Sequence, residues 1–308
     1  MDNKEIKVLS VNTSAERGRK YPVPEVTIGA EGIQGDVHSG MWNRQISILD
    51  VSHAERFSRL SGGRKPEYGA FAENLSTAGL EDVRVLPFDR FENEETGLEV
   101  TQCGKPFHGS FREAGNYVMP REGIFCRSTK KGILRAGDSL QWIPKVFKVM
   151  IVTLSDRASK GVYEDLSGPE IAIFMEEWFE KTEWRHEINN LIIPDNPQML
   201  RELLEEAPGR GTDIIITTGG TGIGPRDFSP EVVKSIIEKE IPGIMEMIRM
   251  KYGMEKPNAL LSRSIAGTLG KSLIFALPGS LKAVKEYMPE ILKTLRHMIF
   301  MLHAVDTH

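Results

Sequence analysis

The stretch Ile214-Ile215-Ile216-Thr217-Thr218-Gly219-Gly220-Thr221-Gly222-Ile223-Gly224-Pro225-Arg226-Asp227-Phe228-Ser229-Pro230-Glu231 runs from an apolar segment through a glycine-rich turn to a helix start. Three consecutive isoleucines followed by two threonines are the pattern of a buried parallel strand. The glycines let backbone N–H groups approach an anion closely and supply positive φ where the turn needs it. Ser229 is expected to cap a helix over 230–240 with Pro230 at its first position, so that the helix's positive end faces the turn. Strand, loop and helix then converge as a phosphate grip. It is neither a dinucleotide fingerprint, since Pro225 stands where the last glycine belongs, nor a P-loop, since no Gly-Lys-Ser/Thr follows. Asp227, directly behind Arg226, is an acid that a passive phosphate cradle does not need, and it points to a metal or to chemistry.

The surrounding sequence supplies matching parts. Residues 146–154, 188–193, 214–218 and 272–277 read as strands, alternating with helices over 169–181, 197–206, 230–240, a bent region at 244–252, and 282–303. This alternation predicts a mainly parallel sheet covered by helices, a three-layer α/β fold. Ligands of such sheets sit outside the carboxyl ends of the strands. The segments following the four strands are Ser155-Asp156-Arg157, Pro194-Asp195, the glycine loop, and Pro278-Gly279-Ser280, all of them polar or turn-forming. Pro197 fits the first helical position and makes Asn196 the N-cap, which frees Asp195 at the strand tip. Two ionised carboxylates, Asp195 and Asp227, beside bound phosphate would repel it without a divalent cation, and Mg²⁺ is the natural choice.

The first part of the chain is different. From about residue 7 to 142, short apolar runs at 8–11, 23–28, 46–49, 83–86, 98–101 and 140–143 are separated by Gly, Pro and Asn, with one helix expected at 52–60. This is the pattern of a mostly β barrel or sandwich. Pro144 and the new apolar run at 146 set the expected division into domains 1–144 and 145–308. The 308 residues are enough for two cores. Hydrophobic residues make up 40% and charged residues 27%, with a net charge of -4, ordinary globular values that give no electrostatic case for nucleic acid. No stretch approaches the roughly 20 apolar residues of a membrane span. The two cysteines, Cys103 and Cys126, lack metal or disulfide spacing and read as small buried hydrophobes in a reducing cytoplasm.

The second half resembles the MogA/MoaB molybdopterin adenylyltransferases in Thr153-Leu154-Ser155-Asp156-Arg157-Ala158-Ser159, Tyr163-Glu164-Asp165 with Ser167-Gly168-Pro169, Pro194-Asp195, Thr217-Thr218-Gly219-Gly220-Thr221-Gly222 with Asp227 and Pro230, and Leu277-Pro278-Gly279-Ser280. The resemblance implies ATP-dependent adenylylation of molybdopterin by a homotrimer. It matches Asp195 and Asp227, assigned above to Mg²⁺, to the functional aspartates. Ser155, Asp156, Arg157, Gly219, Gly220, Thr221, Gly222, Pro278, Gly279 and Ser280 fall in the nucleotide and pterin pocket. The first half resembles the MOSC domain in Gly35-Asp36-Val37-His38-Ser39-Gly40, Glu73-Asn74-Leu75 and Gly137-Asp138. That implies a β-barrel that binds or hands on a pterin or sulfur species, with Asp36, His38, Arg44, Asn74 and His108 as pocket candidates. Pro106 and Phe107 stand where that family usually carries a cysteine. Together the halves imply a molybdenum-cofactor biosynthesis protein that could meet other proteins of that pathway. The alternatives are a nucleotide pyrophosphohydrolase and a non-enzymatic cofactor-binding scaffold.

Overall fold

The computed structural model describes residues 4–60, 66–104 and 118–305. The chain divides into two compact units, Met1–Lys145 and Val146–His308.

In the first unit the strands are β1 (Lys4–Thr13), β2 (Tyr21–Val23), β3 (Glu25–Gly29), β4 (Gly32–Ile33), β5 (Ile46–Asp50), β6 (Leu75–Ala78), β7 (Arg90–Glu92), β8 (Gly97–Cys103), β9 (Ile124–Lys130), β10 (Gly132–Arg135) and β11 (Ser139–Ile143), with helices α1 (Val51–Leu60) and α2 (Val118–Glu122). The main sheet runs β11-β7-β8-β9-β5-β6-β1-β2, and β11 also pairs with β1. That last pairing closes the sheet on itself, so the unit is a β-barrel, and closure removes the edges that an open sheet would expose. β3, β4 and β10 form a separate small sheet. Ile6, Val8, Ile46, Ile48, Leu98 and Val100 are among the buried side chains that fill the core. The strand expected at 83–86 is absent: this segment is irregular, and Val83 and Val85 pack against the barrel core from a loop. Their apolar alternation reflects burial without pairing. Cys126 is fully buried in the same core, and burial pushes its thiol well above the ordinary range, the environment of an inert cysteine.

The second unit holds β12 (Phe147–Leu154), α3 (Asp156–Ser159), α4 (Ser167–Thr182), β13 (His186–Ile193), α5 (Pro197–Glu206), β14 (Ile214–Thr218), α6 (Ser229–Ile236), β15 (Lys239–Glu240), α7 (Pro242–Gly253), β16 (Ile265–Leu269), β17 (Ser272–Leu277) and α8 (Leu281–Leu302). The sheet order is β13-β12-β14-β17-β16-β15. β13, β12, β14 and β17 are parallel, whereas β16 runs antiparallel to β17 and β15, at the edge, pairs antiparallel with β16. Every residue of β14 is buried, as expected of a strand covered on both faces. On one face Met150, Val152, Ile215 and Ile274 pack with Leu200 and Leu204 of α5 and Val232 and Val233 of α6. The residues between them point the other way by the period-two alternation of a strand, beneath α4 and α8. There Phe147 stacks on Trp184 with ring centroids 4.7 Å apart.

Two helix boundaries differ from expectation for stated reasons. α6 stops at Ile236, and the residues expected to extend it supply β15, whose pairing with β16 covers a sheet edge. Ser229 is the first residue of α6 and not its cap: its hydroxyl donates to the Gly219 carbonyl at 2.7 Å, drawing the helix start onto the glycine loop. The region 244–252 is one helix, α7, beginning at Pro242.

Candidate functional site

Because β12, β13, β14 and β17 are parallel, their carboxyl ends open on one edge, and the four loops leaving them meet there. A cavity of about 340 Å³ at this edge is lined by Leu154, Ser155, Asp195, Gly220, Gly224, Pro225, Arg226 and Asp227. The two aspartates singled out from the sequence thus come from different strand ends to one cavity.

Asp195 is held by the neighbouring loop and Asp227 within its own. Asn196 caps α5 by accepting from Gln198 N and Met199 N, which leaves Asp195 outside the helix. Asp195 Oδ2 accepts from Asp156 N at 3.3 Å while Asp195 N donates to Asp156 Oδ1 at 3.1 Å, a reciprocal pair that ties the ends of β12 and β13 together. Asp227 Oδ2 accepts from Gly224 N at 2.8 Å and closes the turn on itself. Each carboxylate therefore keeps its Oδ1 without a hydrogen bond among the described residues. Two hard carboxylate oxygens suit Mg²⁺. No group of three or more His, Cys, Asp or Glu among the described residues is set to hold a metal. The donor chemistry fits; Asp195 and Asp227 are the residues that would hold it.

The glycine loop is set by close approach. Gly219 has φ 108°, its N–H donates to Leu277 O at 3.0 Å, and a Cβ on it would lie 2.6 Å from the Leu154 carbonyl. A Cβ on Gly222 would lie 2.7 Å from Asp227 Oδ2. These positions have no room for a side chain beside the carboxylate.

The other expected residues divide. Ser155 lines the cavity and also caps α3 through Ala158 N. Asp156 faces Arg226 at 3.7 Å. Arg157 lies outside the lining, its guanidinium 5.4 Å from the Tyr163 ring centroid. Thr221 is buried and Gly222 stands beside Asp227, both away from the lining. Pro278, Gly279 and Ser280 are also outside it and act as framework. Thr218 Oγ1 donates to Pro278 O at 3.0 Å, Ser167 Oγ donates to Gly279 O at 2.9 Å, and Ser280 caps α8 through Ala283 N. Asp165 holds the start of α4 through Ser167 N and Gly168 N and accepts from Thr153 Oγ1 at 2.6 Å, so the Asp165-Leu166-Ser167-Gly168 motif braces the loops. Arg226, Gly224 and Pro225 line the cavity without having been singled out for binding. Arg263, from the segment before β16, reaches the back of the glycine loop; nothing in the sequence linked it to a loop some forty residues away.

In the first unit the candidates are split between a closed network and the surface. Lys20, fully buried, places Nζ 2.6 and 2.7 Å from the two Asp36 oxygens, and Asn74 Nδ2 donates to Asp36 Oδ2 at 3.0 Å. Beside them Glu73 accepts from Gly69 N, Phe71 N and Ser76 Oγ. His38, at the edge of this network, lies 3.5 Å from Asp36 Oδ1 and stacks on Trp42 with centroids 6.1 Å apart. Arg44 lies over Trp42 at 5.2 Å, away from Asp36. His108 lies outside the described residues. Asp36 and Asn74 thus take part in a buried, hydrogen-bonded ion pair, and Lys20, which sequence reading missed, is its centre. Burial acts to raise the Asp36 carboxyl, but bonds from His38 and Lys20 outweigh it and hold the carboxyl well below its ordinary 3.8.

Removing one partner of a buried pair strands the other charge, so Lys20→Met is expected to destabilise this unit by about 3–5 kcal/mol, read by denaturant unfolding. The Asp36 contribution is fully present above its unfolded value near 3.8 and is lost as pH falls through its depressed folded value. Glu73 has the opposite sign. Burial raises its carboxyl above 4.5, so its protonation favours the folded state and offsets part of the acid loss. Stability of Asp36→Asn should therefore fall less between pH 5 and pH 3 than that of the unaltered protein; equal slopes would remove Asp36 from the account.

Comparison with known proteins places weight on the second unit. Residues 150–297 match the MoCF_biosynth family model, described as "Probable molybdopterin binding domain". A molybdopterin adenylyltransferase of Helicobacter pylori (strain J99) is 36% identical over 150 residues, 48% of this chain and 84% of that protein. One from Pyrococcus furiosus is 35% identical over 161 residues, 51% of this chain and 91% of its own. A solved MogA structure is 35% identical, covers 50% of this chain and 99% of its own, and superposes with a TM-score of 0.46.

Proposed function

The chain belongs to the MoCF_biosynth family through the domain at residues 150–297, and on that premise we propose that its second unit transfers the adenylyl group of ATP to molybdopterin in molybdenum-cofactor biosynthesis. The observation that carries this reading is the meeting of Asp195 and Asp227 with Gly220 in one cavity at the carboxyl edge of the sheet. In the proposed reaction an oxygen of the pterin's terminal phosphate attacks the α-phosphate of ATP. The new O–P bond forms as the bond to the β-phosphate oxygen breaks, and pyrophosphate leaves. Such a reaction needs positioning and charge neutralisation more than a covalent intermediate. The glycine loop supplies N–H donors to phosphate, Asp195 and Asp227 orient the charged groups, and Arg226 at the mouth offers a guanidinium fork. Mg²⁺, when bound, would be held by Asp195 and Asp227 and would supply neutralisation of phosphate charge. Incubating the protein with ATP and molybdopterin and weighing the product by mass spectrometry tests the reading: adenylated molybdopterin is expected, and its absence while ATP is consumed favours the pyrophosphohydrolase. Binding of molybdopterin without turnover favours the scaffold.

For the first unit the MOSC reading rests on its barrel closure and on the Asp36 and Glu73-Asn74 elements converging around Lys20. On this reading the barrel binds or hands on a pterin or sulfur species. The burial of Cys126 speaks against that cysteine as a sulfur carrier.

A homotrimer is part of the proposal, supported by the exposed apolar side chains Met247, Met250, Met254, Leu260 and Leu261 on and after α7. Light scattering should return three times the 34.5 kDa chain mass; a monomer at all concentrations would remove the trimer. No helix among the described residues is long and apolar enough to cross a membrane. The cytoplasm is the proposed compartment.

A further inference from the structure

Arg263 sits immediately before β16 and contacts the outside of the glycine loop at three carbonyls. Its backbone N–H donates to Thr221 O at 2.9 Å, its Nε to Gly222 O at 2.7 Å and its Nη2 to Asp227 O at 3.0 Å. Nη1 pairs with Glu231 in the first turn of α6. One residue thus grips both ends of the turn that carries Asp227, and the helix behind it.

A peptide unit is planar and trans, so the C=O and N–H of each unit point in opposite directions. Drawing the carbonyls of Thr221, Gly222 and Asp227 onto Arg263 turns the N–H groups of Gly222, Ile223 and Phe228 away from it. Among the described residues none of these three N–H groups donates a hydrogen bond. A loop with glycine at 219, 220, 222 and 224 has little intrinsic preference for this arrangement, because glycine accepts many backbone states. Besides the bond by which Asp227 closes the turn on Gly224 N, Arg263 adds order from outside the loop.

We infer that Arg263 is a positioning residue that clamps the glycine loop by its carbonyls, so that the segment from Gly224 to Asp227, which lines the cavity, is held there to meet the polyphosphate of a nucleotide. This rests on the adenylyltransferase reading for the identity of the nucleotide. The clamp itself needs only a polyphosphate anion. Lysine is a poor substitute at this place, because a single ammonium cannot reproduce a planar fork that serves two carbonyls and a carboxylate at once.

The test uses the full chain with Arg263→Ala and Arg263→Lys, and Arg210→Ala as a control. Arg210 has an exposed pair with Glu206 on the surface of the same unit. Calorimetric titration with inorganic tripolyphosphate and with Mg·ATP gives affinity, steady-state kinetics separate KM from kcat, and amide exchange across 219–229 in ligand-free protein reports loop order without any ligand. The expected result is a Kd for both anions weaker by roughly tenfold or more in Arg263→Ala, a raised KM for ATP, faster exchange in the loop, partial recovery in Arg263→Lys, and the control matching the unaltered protein. Unchanged affinity and exchange in Arg263→Ala would overturn the clamp, as would failure of the unaltered protein to bind tripolyphosphate. If tripolyphosphate binding depends on Arg263 but no adenylylated pterin forms, the clamp stands and the adenylyltransferase reading falls. If transfer is intact and indifferent to Arg263, the reading stands and the clamp falls.

Discussion

Asp227→Asn is expected to leave the protein folded and able to bind ATP while pyrophosphate release in the presence of molybdopterin drops by roughly a hundredfold or more, the scale on which loss of one preorganised electrostatic group acts. Asparagine is nearly isosteric, and its side-chain oxygen can still accept from Gly224 N, the bond Asp227 makes at 2.8 Å. The turn therefore closes as before. What is lost is the negative charge of a residue that lines the cavity, so the effect is expected on turnover and on Mg²⁺ dependence and spares the glycine cradle. Equal turnover in the variant would remove Asp227 from the chemistry. A loss confined to thermal stability would make it a turn residue.

The second large effect is expected at Gly219. Alanine there meets both a left-handed φ of 108° and the Leu154 carbonyl at 2.6 Å, a backbone atom that cannot rotate away. Backbone strain of this kind costs of order 1–3 kcal/mol before any displacement is counted. Relief requires β12 and β14 to separate at their carboxyl ends, where Leu154 and Gly220 line the cavity. Gly219→Ala should therefore lower the melting temperature and abolish ATP binding together. Gly209→Ala is the comparison, since a Cβ there meets nothing within 4 Å and its φ is not left-handed. Matching behaviour of the two variants would show that the close approach at Gly219 has no functional weight.

The parts of this molecule legible in its sequence are those set by local chemistry. The buried strand 214–218 was visible because three isoleucines have no other use beside a glycine turn, and Asn196 was visible as a cap because Pro197 fixes the first helical position. Ser229 looked like a second case of the same signature. It differs because the Gly219 carbonyl, brought near by the fold, takes its hydroxyl. The antiparallel edge β16 and β15 was missed since Ile265–Leu269 carries Gly267 and Thr268, and Lys239–Glu240 has no strand character of its own; pairing makes them strands. In the first unit, Val83 and Val85 mimicked a strand because burial in a loop leaves the same alternation.

The functional residues follow the same division. Asp195 and Asp227 stood out because each was an acid that its helix did not need as a cap. Lys20 and Arg263 could not be found that way: a lone lysine or arginine is ordinarily a solvated surface residue, and the partners that make these two special lie 16 residues away in Asp36 and 41 away in Gly222. Both are visible only when the fold has brought distant carbonyls and carboxylates to them. The Pro278 and Gly279 carbonyls accept from Thr218 and Ser167, and Ser280 caps α8, contacts that only the fold reveals.

The measurement that bears most directly on the account is pyrophosphate release from ATP by the purified protein, with and without molybdopterin, in Mg²⁺. The account predicts release only when both substrates are present, in step with the appearance of adenylated molybdopterin, and its near-complete loss in Asp227→Asn. Pyrophosphate release at the same rate without molybdopterin, or none in its presence, would contradict it.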